Sequence, residues 1–298
     1  MKQRPPVLLA TLLGLATCAV SIAAQPQRPL QLAEAGIDRY FAAPVQGFGG
    51  AEDATVALTR LFGGVRIPFQ LRPDTTLLLG ASAQATLASF DRLPEAIDTA
   101  AIRDELYTLS LSLALRQRIA DSWWLIVAPQ PGISSDLLAL SGDDLLFRGV
   151  ARVDWAASDT LLLGLGVLYG TDFGEPLTLP LLRIEWDISD TVYLSAVMPQ
   201  RFALMAQIGT TAEAGLAGEI SGAVFNLNDA QFGAQRARYS LVNVGPLLRL
   251  RLAPALWLDV AGGLNLARRF QSDVALQDYE LLEFGQAPFI RAAIAVRP

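Results

Sequence analysis

Leu106-Tyr107-Thr108-Leu109-Ser110-Leu111-Ser112-Leu113-Ala114-Leu115-Arg116-Gln117-Arg118-Ile119 alternates with a period of two. Tyr107, Leu109, Leu111, Leu113, Leu115 and Ile119 fall on one side, and Thr108, Ser110, Ser112, Ala114, Arg116 and Arg118 on the other. Successive side chains of a strand point to opposite faces, so the stretch predicts a β-strand with one greasy and one polar face. A helix would spread these leucines around its whole circumference.

The pattern recurs along the chain. Ala151, Val153 and Trp155 oppose Arg148, Arg152 and Asp154; Leu182, Ile184 and Trp186 oppose Arg183, Glu185 and Asp187. Val242, Val244, Leu248, Leu250 and Leu252 oppose Asn243, Arg249 and Arg251, and Ile290, Ala292, Ile294 and Val296 oppose Arg291 and Arg297. Tight turns punctuate these runs at Arg72-Pro73-Asp74-Thr75, Ala120-Asp121-Ser122, Ser158-Asp159-Thr160, Ser189-Asp190-Thr191 and Ala253-Pro254-Ala255, where Asp and Ser bond locally to the backbone and Pro fixes φ. Longer irregular connections are expected around 90–105, 132–144, 169–177, 226–236 and 270–286.

Alternation alone fits a soluble sandwich or a membrane barrel. The arrangement of the connections separates them, because tight turns at one end and long loops at the other are the habit of outer-membrane barrels. Trp123, Trp124, Trp155, Trp186 and Trp257 all lie close to the tight turns, as an aromatic girdle at the headgroup level requires. Trp124, Trp155 and Trp186 are the candidate membrane-interface aromatics, and Trp257, of opposite parity, is expected to close the lumen end. The predicted fold is therefore all-β: an antiparallel up-and-down transmembrane β-barrel of about fourteen strands, both ends on the tight-turn side. Merging strands at the short Pro199-Gln200 turn gives twelve as the alternative.

Composition removes most catalytic chemistry. The 298 residues contain no histidine, which excludes imidazole-based triads and His-ligated zinc, and the net charge of −6 argues against nucleic acid. The carboxylates sit in loops or beside arginine, which keeps them ionised and unsuited to acid catalysis. Gly164 and Gly166 stand on a strand and open no phosphate-binding helix. No enzyme, metal site or cofactor is expected. Lys2 and Arg4 followed by an uncharged run from Val7 to Ala24 predict a secretory signal over residues 1–24, with the barrel over 25–298. Cys18, the sole cysteine, falls inside the apolar core of that signal.

Arg66, Arg116, Arg118, Arg152, Arg183, Arg249 and Arg251 occupy lumen-side parity near the tight-turn end, with Asp154, Glu185 and Asp187 beside them. Guanidinium groups fork onto carboxylates, so these candidate lumen residues form either a self-neutralising brace or a positive constriction for anions. Asp98, Asp104, Glu105, Asp143, Asp144, Asp172, Glu175, Asp278, Glu280 and Glu283 make the long connections acidic. That rim is read as solvated, with no calcium-loop spacing.

Gly174-Glu175-Pro176-Leu177-Thr178-Leu179-Pro180-Leu181-Leu182, Ile184-Glu185-Trp186 and Ser189-Asp190 resemble a family of bacterial outer-membrane barrels, domain of unknown function 6268. Leu256-Trp257-Leu258, Gly262-Gly263, Arg268-Arg269-Phe270 and Ala287-Pro288-Phe289 carry the same resemblance, which spans Thr55 to Val296. It implies the same fold in the outer membrane of a Gram-negative-type bacterium and supplies no functional residues. The expected function is a passive pore or transport-related channel for small solutes. The alternative is a non-conducting structural, adhesion or envelope-assembly barrel whose lumen is packed by residues such as Phe62, Trp257 and Phe289. Expected partners are outer-membrane lipid, lipopolysaccharide and, during biogenesis, the barrel-assembly machinery.

Overall fold

Wherever the period-two pattern runs, the chain is extended. The strands are β1 (Ala33–Gln46), β2 (Thr55–Arg72), β3 (Thr75–Asp91), β4 (Glu105–Ala120), β5 (Trp123–Ser135), β6 (Leu145–Ala156), β7 (Leu161–Gly170) and β8 (Leu177–Asp187). They continue with β9 (Val192–Met198), β10 (Arg201–Ile208), β11 (Ala212–Asp229), β12 (Gly233–Ala253), β13 (Leu256–Ser272), β14 (Leu281–Phe284) and β15 (Ala287–Val296). This computed structural model describes residues 30–46, 54–92, 105–137, 140–171, 176–229, 233–272 and 281–298. The signal expected at 1–24 and the loop acids Asp98, Asp104, Asp172, Glu175, Asp278 and Glu280 lie outside the described residues.

From β1 to β14 each strand pairs antiparallel with its sequence neighbour, and β13–β15 together with β1–β15 closes the ring. Segments β14 and β15 pair with β13 on one side and β1 on the other, so they form one wall position interrupted at Gly285 and Gln286. The barrel is thus fourteen-stranded. Twelve is excluded because β9 and β10 pair with each other as separate strands across the Pro199-Gln200 turn. Closure leaves few edges, and Ala33 opposite Val296 brings the first and last strands together at the tight-turn end. The connection expected over 226–236 is corrected: β11 and β12 stay paired from Ala212↔Leu250 to Asp229↔Gly233.

The greasy faces look outward. Leu109, Leu111, Leu113 and Leu115 on β4, Leu165 and Val167 on β7, and Ile290 and Ile294 on β15 are all exposed, Leu111 at 64% and Leu165 at 69%. Water would not tolerate such a contiguous belt, which is the surface a lipid-facing barrel presents. The wall is a single closed sheet, so these side chains have no second sheet to pack against.

The packed core lies within the barrel, toward the long-loop end. Tyr40, Leu106, Ala223, Phe225, Tyr239, Leu241 and Phe289 form one buried cluster, with Tyr40 stacked on Phe289 at 5.9 Å and Phe225 on Tyr239 at 5.7 Å. Asn243 Nδ2 donates to the Tyr40 hydroxyl at 3.0 Å, and Gln84 Nε2 to the Tyr239 hydroxyl at 2.9 Å, tying β12 to β1 and β3 through the interior. The far half of β11 leaves the perimeter: Asn226 pairs in parallel with Ser135 of β5, a strand six positions away around the ring. The long β11–β12 hairpin therefore leans across the outer mouth.

Candidate functional site

The lumen is where side chains from distant parts of the sequence converge. A closed barrel has staggered register, so a row of directly paired residues climbs as it passes from strand to strand. One such inward row runs Arg118, Trp124, Asp154, Gly164, Arg183, Val197, Arg201, Glu219, Asn243 and Asn265. It begins beside the β4–β5 turn and ends in the outer half of β13, where it meets the packed core.

Three ionic networks stand on the inner wall. In the first, Asp154 is 1% exposed and receives Arg152 Nε at 2.9 Å and Arg183 Nη1 at 2.7 Å. Arg183 also approaches Glu185 at 3.4 Å, and Ser195 Oγ donates to that carboxylate at 3.0 Å. In the second, Arg249 Nη1 donates to the Tyr193 hydroxyl at 2.9 Å and lies 3.4 Å from Glu213, and the Tyr193 hydroxyl itself donates to Glu213. Asp259, 3.6 Å from Arg249, is held at 2.6 Å by Arg297. In the third, Arg60 binds buried Asp38, approaches Glu219 at 3.6 Å and donates to Ser221 Oγ at 3.3 Å, so β1 and β2 are joined across the interior to β11. Arg291 completes it at 3.0 Å from Glu219, with its guanidinium 4.5 Å from the Phe62 ring centroid.

The structure brings Arg152, Asp154, Arg183 and Glu185 together in one network and places Arg249 in another. Arg116 lies over the Trp124 ring at 5.3 Å. Arg118 and Arg251 turn to the tight turns: Arg118 donates to the Asp121 carbonyl at 3.0 Å, and Arg251 to that of Pro254 while covering Trp257 at 5.8 Å. Asp187 faces inward at the base of β8, and its amide donates to Thr160 at 2.8 Å. Arg66 projects into the lumen and remains exposed. Sequence reading missed Asp38, Arg60, Arg201, Glu213, Glu219, Asp259, Arg268, Arg291 and Arg297 as lumen residues. Their inward parity was the available signal, but each stands in a strand whose partner across the interior no spacing reveals.

Two placements are corrections. Trp124, expected at the membrane interface, is 7% exposed beneath Arg116; the outward ring is its neighbour Trp123, stacked on Trp155 at 5.6 Å. A one-residue step reverses the face of a strand, and the two tryptophans are adjacent. Trp186 is exposed and outward. Asp144, expected on a solvated rim, is buried: it accepts the Ser141 amide at 2.6 Å, and Ser141 caps the 3-10 turn Gly142–Asp144 in return.

Among the described residues, arginines outnumber carboxylates on inward positions, although the chain as a whole is acidic. Arg66 and Arg201 face inward, are exposed, and have no ion-pair partner among the described residues. The charges around Arg201 are Arg66, Glu219, Glu34 and Glu185. Arg268 is the opposite case: 1% exposed, it donates to the Val56 carbonyl at 3.2 Å and lies 5.5 Å from the Tyr40 ring centroid, with one Nη unbonded.

No curated protein matches the chain in sequence. Among solved structures it is similar to a deletion mutant of the TodX monoaromatic hydrocarbon channel, at 11% identity and TM-score 0.49, covering 91% of each chain. It is similar also to the COG4313 outer membrane channel from Pseudomonas putida F1, at 11% identity and TM-score 0.47, covering 90% of this chain and 97% of that one. The NanC porin follows at 10% identity and TM-score 0.38, covering 89% and 100%. A family model matches residues 48–291, and the chain belongs to that family, described as Domain of unknown function (DUF6268).

Proposed function

We propose that this chain is an outer-membrane barrel giving small solutes a passive route, and that its basic lumen favours anions. The observation that carries the reading is the pair Arg66 and Arg201, inward yet exposed and without ion-pair partners among the described residues. An inward side chain stays exposed only if water fills the space before it. A confined positive charge in that water concentrates anions. In this reading residues 1–24 direct export, lipid and lipopolysaccharide surround the apolar belt, and the barrel-assembly machinery inserts it.

Planar-bilayer recording of the purified protein tests the proposal. Steps of current with a reversal potential on the anion side are expected, and Arg66→Glu shifts that potential toward cations. Absence of current overturns the pore, and an unmoved potential overturns the anion preference.

A second reading, the non-conducting barrel, is favoured by the buried cluster of Tyr40, Leu106, Phe225, Tyr239 and Phe289 in the outer half of the interior. It predicts a silent bilayer.

A further inference from the structure

The inner wall is short of side chains at one place. On β2, Gly64 stands in direct register between Glu34 of β1 and Ser82 of β3, and Arg66, the next inward position, pairs with Gly80 of β3. Neither glycine covers the wall, and the Ser112 hydroxyl of β4 occupies the space a Cβ would take at Gly80. The result is a hollow edged by Glu34, Arg66, Ser82 and Ser112. Arg66 and Ser82 are exposed although they face inward, so water reaches it. Toward the long loops it is bounded by Phe62, whose ring lies against Gly36, and by the ion pair of Arg60 with Asp38.

The opposite wall supplies a further charge. Arg60 crosses the interior to Glu219 at 3.6 Å, and Glu219 is the direct register partner of Arg201, which brings Arg201 opposite β1 and β2. Of the charges around Arg201, Arg66 acts most strongly, and Glu34 is among the others. Asp38, Asp154, Glu185, Glu213, Glu219 and Asp259 each hold an arginine. Glu34, Arg66 and Arg201 have no ion-pair partner among the described residues, although Arg66 stands diagonally across from Glu34, within reach of a long side chain.

From this we infer that the hollow binds an amino dicarboxylate, whose two carboxylates meet Arg66 and Arg201 and whose ammonium meets Glu34. The open charges are two positive and one negative, and such a solute answers all three with charge-assisted hydrogen bonds, whereas a plain dianion leaves the Glu34 carboxylate unanswered. The Ser82 and Ser112 hydroxyls add donors for the same carboxylates. A solute lacking one of its groups leaves a wall charge without a partner, which is how a polar site discriminates. The inference rests on the water-filled lumen proposed above, and names the class of solute that its open charges hold.

Equilibrium dialysis of radiolabelled L-glutamate against the full barrel in detergent tests it. Saturable binding is expected, with glutarate, which lacks the ammonium, and L-glutamine, which lacks the second carboxylate, each competing about tenfold less well than unlabelled L-glutamate. Glu34→Gln should weaken L-glutamate and spare glutarate, and Arg201→Gln should weaken both, in barrels whose heat-modifiable migration reports folding. Absence of saturable binding overturns the site. Glutarate competing as well as L-glutamate, or unchanged L-glutamate affinity in either folded variant, overturns the amino dicarboxylate. The comparison of glutarate with L-glutamate is made on the unaltered barrel, so it decides even where a variant fails to fold. Vesicle swelling in L-glutamate, read in parallel, separates the failures. Swelling without saturable binding leaves the pore reading standing and rejects the site, and saturable binding without swelling keeps the site and rejects passage.

Discussion

Arg183 on β8 reaches Asp154 on β6 at 2.7 Å across an intervening strand, because the residue between them on β7 is Gly164. A Cβ at that position would collide with the Asp154 carboxylate. The glycine is required by this close approach, and strand glycines commonly mark such places.

Gly164→Val is therefore expected to displace Asp154 Oδ1, the oxygen nearest the new Cβ, from Arg152 Nε. The loss of one charge-assisted bond amounts to about 1.5–3 kcal/mol. Asp154→Ala, which leaves two guanidinium groups facing each other, should cost about 3–5 kcal/mol. Urea unfolding in detergent micelles, followed by tryptophan emission, ranks the two; a Gly164→Val barrel as stable as the wild type would contradict the geometry.

The outer core predicts a second pair of effects. Phe225→Ala removes a fully buried ring stacked on Tyr239, and a truncation of this kind costs about 3–5 kcal/mol. It also opens space in the outer half of the interior, so single-channel conductance should rise together with the fall in unfolding midpoint. A rise in neither would show that the cluster neither supports nor obstructs the barrel.

Arg60 and Asp38 give a coupling test. Removing either partner takes away the closest counter-charge of a buried group, leaving Arg60 only Glu219 and Asp38 only Arg291, each at 3.6 Å, a loss of up to about 3–5 kcal/mol, whereas Asp38→Leu combined with Arg60→Met leaves no unpaired member of this pair. The double variant should thus be more stable than the sum of the single losses implies. Additive losses would mean that the two side chains do not act as a pair.

The tryptophans divide by depth. In vesicles of brominated lipid, replacing Trp123, Trp155 or Trp186 by Phe should remove a strongly quenched component of the emission. Trp124→Phe should remove a weakly quenched one, since that ring lies inward under Arg116. Strong quenching of Trp124 would reverse the inward and outward faces of β5.

Local chemistry in the sequence was enough to place nearly every strand and most of the tight turns, because alternation is a property of consecutive residues and a turn rich in Asp, Ser or Pro carries its own punctuation; the turn at Gly209 and Thr210, which has none of these, was not among them. The pair Trp123 and Trp124 marks the limit of that reasoning: adjacent rings of one type give no local signal of which one faces lipid. Only the closed ring decided which charges meet. Arg60 finds Glu219 some 159 positions along the chain, Asn226 comes to rest on Ser135, and the core forms in the outer half of the lumen, all through the curvature and stagger of a sheet joined end to end.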